Sequence, residues 1–333
     1  MNNSSMKQDY FPTGGWRISL PEAQHIEEAV LLRVDEGIRA DYPDVHSFLV
    51  IRHGYLVFER YYCGYNHERE HEVRSITKSF ISALVGIALK EGYLTSLDQK
   101  VIDLLPNYFD SDADPRKKAI TLRHLLTMTA GFDCDNDENF WLMRQHRDWA
   151  KATLDTPMRC EPGEQFNYDS AAMHLLSVIL THQTGMSAFD YAQARLFKPL
   201  GMQVHHWPHD PLGNSEGAAG LRLTARDMAK FGYLYLNSGQ WEGQEIVPTW
   251  FVRDSTRKQS EGGDPEPANY GYLWWVLYES HAVGYCAAGY GGQYIFVFPN
   301  QDLIIVTTAD HTLMPPPEAP MPLFLKHILP AAR

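Results

Sequence analysis

Ser75-Ile76-Thr77-Lys78 brings together a hydroxyl and an amine that could share a proton. On a helix, positions i and i+3 are neighbours, so an amine at 78 can reach a hydroxyl at 75. Such a pair can perform nucleophilic acyl transfer, with the amine as base once burial lowers its pKa. The pattern recurs at Ser4…Lys7 and Ser255…Lys258. The first lies in a polar terminus, the second where an amphipathic helix gives way to polar chain. Only Ser75 opens a strongly apolar helix, whose N-terminal positive potential favours alkoxide-like charge. A serine N-cap followed by a chance lysine is the plain alternative.

Two further segments carry the same chemistry. Glu161-Pro-Gly-Glu-Gln-Phe-Asn-Tyr-Asp-Ser170 is turn-rich and runs straight into a helix, so Tyr168 can present its phenol at a capping turn. Ala287-Ala-Gly-Tyr-Gly-Gly-Gln293 has glycines that allow a sharp turn or a close backbone approach to a ligand. A free N–H there, with that of Ser75, could form an oxyanion hole.

The elements that must hold these groups follow from periodicity. Residues 21–40 read as an amphipathic helix with Ile26, Ala29, Val30, Val34 and Ile38 on one side. Ser47–Arg52 and Tyr55–Tyr62, split by His53-Gly54, read as an antiparallel hairpin. Ser75–Glu91 reads as a mostly buried helix. Helical patterns continue at 121–129, 139–154, 170–184, 187–197, 224–236 and 248–256. Strand character returns at Gly271–Tyr278, Gln293–Pro299 and Leu303–Thr308, with a closing helix at Pro322–Leu329. This order predicts an α+β fold: one antiparallel sheet flanked by terminal helices, with a large helical insert. The expected division is an α/β domain from 1–72 and 264–333, and a mainly helical domain from 73–263 with the site between them.

Composition narrows the function. The 333 residues are 44% hydrophobic, enough for a large core, and the net charge of −12 disfavours nucleic-acid and anionic-membrane partners. Residues 1–20 lack a basic start followed by an apolar stretch, and Phe80–Leu89 is too short to cross a bilayer. The four widely spaced cysteines read as reduced thiols. A cytoplasmic protein is the expectation; subunit number is open.

Taken in order, the three segments resemble the serine β-lactamase/penicillin-binding-protein superfamily, marked by Ser-x-x-Lys, Tyr-x-Asn or Ser-x-Asn, and Lys-Thr-Gly. Residues 120–131, 197–202 and 220–227 resemble its class C-like branch. Arg74-Ser-Ile-Thr-Lys-Ser-Phe80 and Ala288-Gly-Tyr-Gly-Gly-Gln-Tyr294 look most similar to the esterase and 6-aminohexanoate-dimer hydrolase type. The resemblance implies that Ser75 attacks the carbonyl and that Lys78 and Tyr168 shuttle the proton, without choosing which is the ionised base. It also implies that the N–H groups of Ser75 and Tyr290 hold the oxyanion, and that Ser170 replaces the Asn of the second motif, where it could hydrogen-bond Lys78. No cofactor or metal is needed for this mechanism.

One departure bears on substrate. Ala287-Ala288-Gly289 stands where penicillin-recognising members have Lys-Thr-Gly, so a substrate carboxylate loses a charge-assisted contact worth about 1.5–3 kcal/mol. An ester or small amide is therefore expected. A β-lactamase, a D-Ala-D-Ala peptidase and a non-catalytic binding or sensing relative are the alternatives. Gly289, Trp274 and Trp275 are candidate pocket residues, with ordinary strand core as the other reading of the tryptophans. His67-Glu-Arg-Glu-His71 matches a zinc-protease signature but has charged spacers, and Gly213-Asn-Ser-Glu-Gly217 matches a nucleophile elbow but lacks a preceding apolar strand. His205, His206 and His209 read as a solvated loop.

Overall fold

The structure is a computed structural model that describes residues 10–110, 114–279, 282–314 and 319–332. Ser4…Lys7 lies outside the described residues.

The hairpin forms where the sequence places it. Strands β1 (Val45–Arg52) and β2 (Tyr55–Tyr61) pair antiparallel. His53 and Gly54 take φ of 49° and 78°, a left-handed pair whose twist suits a tight hairpin. Five more strands return late in the chain: β3 (Asn269–Tyr270), β4 (Trp275–Glu279), β5 (Ala282–Gly289), β6 (Gln293–Phe298) and β7 (Leu303–Ala309). The sheet runs β2-β1-β7-β6-β5-β4-β3, antiparallel throughout. Strands from both ends of the chain thus share one sheet, as the α+β reading expects.

Both faces are covered. On one, helix α1 (Glu28–Asp41) and the closing helical segment 321–331 pack together, with Leu323 against Gly37. Phe324 reaches Phe48 and Phe296 at ring separations of 5.3 and 6.0 Å. On the other, helix α2 (Ile76–Lys90) stacks Phe80 on Phe231 at 3.7 Å. Phe231 belongs to a helix (Ala225–Leu236) whose Gly232 lies against Ile295 and Ile304 of the sheet. A Cβ there would sit 2.8 Å from Ile295, so the glycine sets the helix-to-sheet distance.

Several boundaries differ from expectation. The first helix starts at Glu28, after a separate turn at Pro21–Gln24, and its buried stripe is Leu31, Val34, Asp35 and Ile38; Ala29 is exposed. Residues 139–154 contain parts of two helices, Asn136–Met143 and Trp149–Asp155, because Asp148 caps the second by accepting from the Lys151 N–H. Strand β5 carries no hydrophobic alternation. Its small residues are required by packing: a Cβ at Gly284 would press on the Phe298 ring at 2.6 Å.

Candidate active site

The entry to α2 is built with an unusual backbone. Arg74 has φ of 50°, a conformation that costs a non-glycine residue energy and that surrounding structure must enforce. The Val73 carbonyl accepts the Ile76 N–H at 3.2 Å, and the Val73 N–H is held by the Leu221 carbonyl at 2.9 Å. Ser75 stands at the N-cap position, yet its side chain makes no capping bond. That removes the reading of Ser75 as a simple cap and leaves its hydroxyl for Lys78.

Lys78 Nζ donates to Ser75 Oγ at 2.8 Å and to the Ala218 carbonyl at 3.0 Å, and lies 5.0 Å from the centre of the Tyr168 ring. Its side chain is buried. Burial lowers its pKa from the ordinary lysine range to about 7, while Glu216 and Asp169 favour the charged form from a distance. At neutral pH the amine is therefore poised between acceptor and donor.

Tyr168 is steadied on both flanks. The Asn167 N–H donates to the Met128 carbonyl at 2.8 Å, and Asp169 caps the helix Ser170–Thr184 by accepting from the Ala172 N–H at 3.0 Å. The Tyr168 ring stacks on Trp275 at 5.7 Å and meets Tyr270 edge-on at 6.4 Å. Desolvation raises its pKa well above the ordinary phenol value, and its contact with the Ser75 side chain opposes that rise. Burial thus favours a protonated phenol beside an amine that can be neutral.

Two glycines let backbone crowd in around these side chains. Gly289 ends β5 against the chain before Ser75: an added Cβ would press into the Val73 carbonyl oxygen and sit 3.2 Å from the Arg74 Cβ. Tyr290, the next residue, is thereby set beside the turn that carries Ser75, while its phenol points to the Leu313 carbonyl at 3.3 Å. Gly217 is packed against the Met173 carbonyl and the His174 Cα. The Gly217 loop is clamped by Asp210, which bonds His174 Nε2 at 2.9 Å and the Asn214 N–H and Nδ2 at 2.8 and 2.9 Å. That clamp presents the Ala218 carbonyl to Lys78.

Two expectations need correction. Ser170 begins its helix with its N–H on Asn136 Oδ1 at 2.9 Å. The second polar group bonded to Lys78 is the Ala218 carbonyl and not Ser170. Trp274 is fully buried among Tyr235, Phe231 and Tyr285, so it is core; Trp275 alone reaches the site, through Tyr168. The reason is geometric: Trp274 lies in the bend before β4, after Leu273 with φ of 59°, and only Trp275 begins the strand.

The other motifs dissolve on inspection. His67–His71 forms no helix, and His71 is buried with Nε2 on His46 Nδ1 at 3.3 Å and Thr308 Oγ1 at 3.1 Å. Ser215 is buried and accepts the Phe189 N–H at 2.9 Å. Ser255 bonds the Val252 carbonyl and Lys258 pairs with Glu261. His205, His206 and His209 are exposed. None of the four cysteines is disulfide-bonded. Among the described residues no helix is long and apolar enough to cross a membrane.

Similarity to known proteins agrees with this geometry. The 6-aminohexanoate-dimer hydrolase of Paenarthrobacter ureafaciens is 24% identical over 285 residues, covering 78% of this chain and 71% of that protein. A structure from Bacillus anthracis, assigned as a 6-aminohexanoate-dimer hydrolase, superposes with a TM-score of 0.76 at 22% identity, over 90% of this chain and 81% of that one. The octameric penicillin-binding protein homologue of Pyrococcus abyssi superposes with a TM-score of 0.72 at 19% identity, over 91% and 77% of the two chains. A family model for Beta-lactamase matches residues 45–326. With the fold, the sheet order and the Ser75–Lys78 pair in the same stretch of chain, the protein belongs to the beta-lactamase family.

Proposed function

We propose that this protein is a serine hydrolase that cleaves carboxylic esters or small amides through an acyl-enzyme on Ser75. The observation that carries the reading is the 2.8 Å contact between a buried, depressed-pKa Lys78 and a hydroxyl free of any capping bond.

The neutral Lys78 amine takes the Ser75 proton as Oγ bonds to the substrate carbonyl carbon. The carbonyl oxygen becomes an oxyanion facing the N–H groups of Ser75 and Tyr290. As the tetrahedral species collapses, the bond to the leaving group breaks. Tyr168 gives that group its proton and is reprotonated from Lys78. Water then loses a proton to the same pair, attacks the acyl carbon and frees both the acid and Ser75.

Ala287 and Ala288 cannot supply the cation and hydroxyl that would meet a β-lactam carboxylate. Assays with p-nitrophenyl acetate and butyrate beside nitrocefin are expected to give clear ester turnover and little nitrocefin cleavage. Fast nitrocefin cleavage would refute the ester preference and favour the β-lactamase alternative.

A further inference from the structure

Three segments meet beside Ser75, and one side chain spans them. In the turn that carries Ser75, Arg74 holds φ of 50°, a backbone state that a non-glycine residue keeps only when its surroundings enforce it. In the turn after β5, Gly289 leaves no room for a Cβ against Val73 and Arg74. A Cβ at Gly291 would lie 2.6 Å from His311 Cα and 3.1 Å from the Asp310 carbonyl oxygen. The third segment follows β7, where the Asp310 N–H is fixed on the Asp44 carbonyl at 2.9 Å. The turn at 289–292 is thus wedged between the other two.

Arg74 joins those two directly. Its Nη2 donates to the His311 carbonyl at 3.2 Å, so the guanidinium runs from the Ser75 turn to the segment on which Gly291 rests. Glu72 balances the charge. One of its carboxylate oxygens stands 3.6 Å from Arg74 Nε and the other 3.5 Å from His311 Nε2. Glu72 is itself placed by pairing with Arg222 in a two-stranded ladder. Arg74 Nε is buried and the side chain half-buried, so solvent screens this contact less than a surface pair.

We propose that Arg74 is a positioning residue: by gripping the His311 carbonyl it fixes the Ser75 and Tyr290 N–H groups at the separation that an oxyanion needs. This rests on the acyl-transfer reading above and names the side chain that sets its electrostatic step. The two N–H groups lie on two of the three segments, and Arg74 ties both to the third. Such donors act only when held ready before charge develops. Losing the guanidinium removes neither N–H. It lets their spacing relax, and a misplacement on the order of 1 Å can cost about 10²-fold in rate.

The test is Arg74→Gly, because glycine adopts the left-handed backbone without strain and removes only the side chain. With p-nitrophenyl butyrate, kcat should fall by about 10–100-fold while KM changes by less than about threefold. Affinity for phenylboronic acid, whose tetrahedral adduct on serine mimics the oxyanion, should fall by the same factor as kcat/KM. Millimolar guanidinium should restore part of kcat to this variant, and an equal concentration of sodium chloride should not. Arg74→Lys, which keeps a cationic donor for the His311 carbonyl, should retain more activity than Arg74→Gly. An Arg74→Gly variant with kcat and boronate affinity within about twofold of the wild type, or a loss confined to KM, would overturn the assignment and leave the hydrolase reading intact. A wild type that neither turns over the ester nor binds the boronate would contradict both.

Discussion

Ser75→Ala should lower kcat/KM for p-nitrophenyl butyrate by about 10⁴-fold or more, the scale on which loss of a nucleophile removes covalent catalysis. The fold should not notice. Ser75 makes no bond that caps α2, so the usual cost of about 1 kcal/mol for losing a serine cap does not apply. A thermal midpoint close to that of the wild type, paired with lost turnover, separates a chemical role from a structural one. The residual rate would reflect binding and the oxyanion N–H groups alone. Ser75→Ala with full activity would remove the mechanism.

Lys78→Met should separate activity from stability in the opposite sense. General-base catalysis contributes about 10²–10⁴-fold, so a loss of about 10³-fold is expected. Stability should rise. Lys78 holds a pKa of about 7 in the folded protein, against the ordinary lysine value when unfolded, so the unfolded chain binds its proton more tightly. Unfolding is therefore favoured by this group at and below pH 7, and the penalty shrinks as pH climbs from about 7 toward the unfolded pKa. Methionine fills similar space without the charge, so the gain at pH 7 should be on the order of a few kcal/mol. Denaturant titrations of both proteins at pH 7 and pH 9.5 should show a gap that narrows at high pH. In the wild type, the same titration makes kcat/KM rise through an apparent pKa near 7. A less stable Lys78→Met variant would contradict the account of an amine whose charge is disfavoured by burial.

Chemistry carried by side-chain type was legible in the sequence. Ser75, Lys78 and Tyr168 are picked out by type and order, and folding brings Lys78 to 2.8 Å from Ser75 and 5.0 Å from the Tyr168 ring; His53-Gly54 turns as a short gap between two β-rich runs should. The misses share a cause. A backbone carbonyl leaves no side-chain signature, so Ala218 could not be read as the partner of Lys78, and Ser170 was the nearest polar candidate in the motif. Strand β5 carries glycine at 284 and 289 because the Phe298 ring and the Val73 carbonyl leave no room for a side chain there, and its run of small residues looks like loop. Gly289 stood out as a flexible residue; its φ is ordinary, and close approach to Val73 is what excludes a side chain. The Trp274-Trp275 pair could not be split without knowing that the strand begins only at Trp275. Arg74 gave no signal as a brace because only folding brings the His311 carbonyl within its reach.

A serine that forms an acyl-enzyme can be trapped covalently. Protein treated with a p-nitrophenyl alkylphosphonate and digested with trypsin should carry the phosphonyl group on the peptide Ser75-Ile-Thr-Lys78. That adduct should be absent from Ser75→Ala. An adduct on another serine, such as Ser215, or inactivation with residues 75–78 left unmodified, would contradict the account.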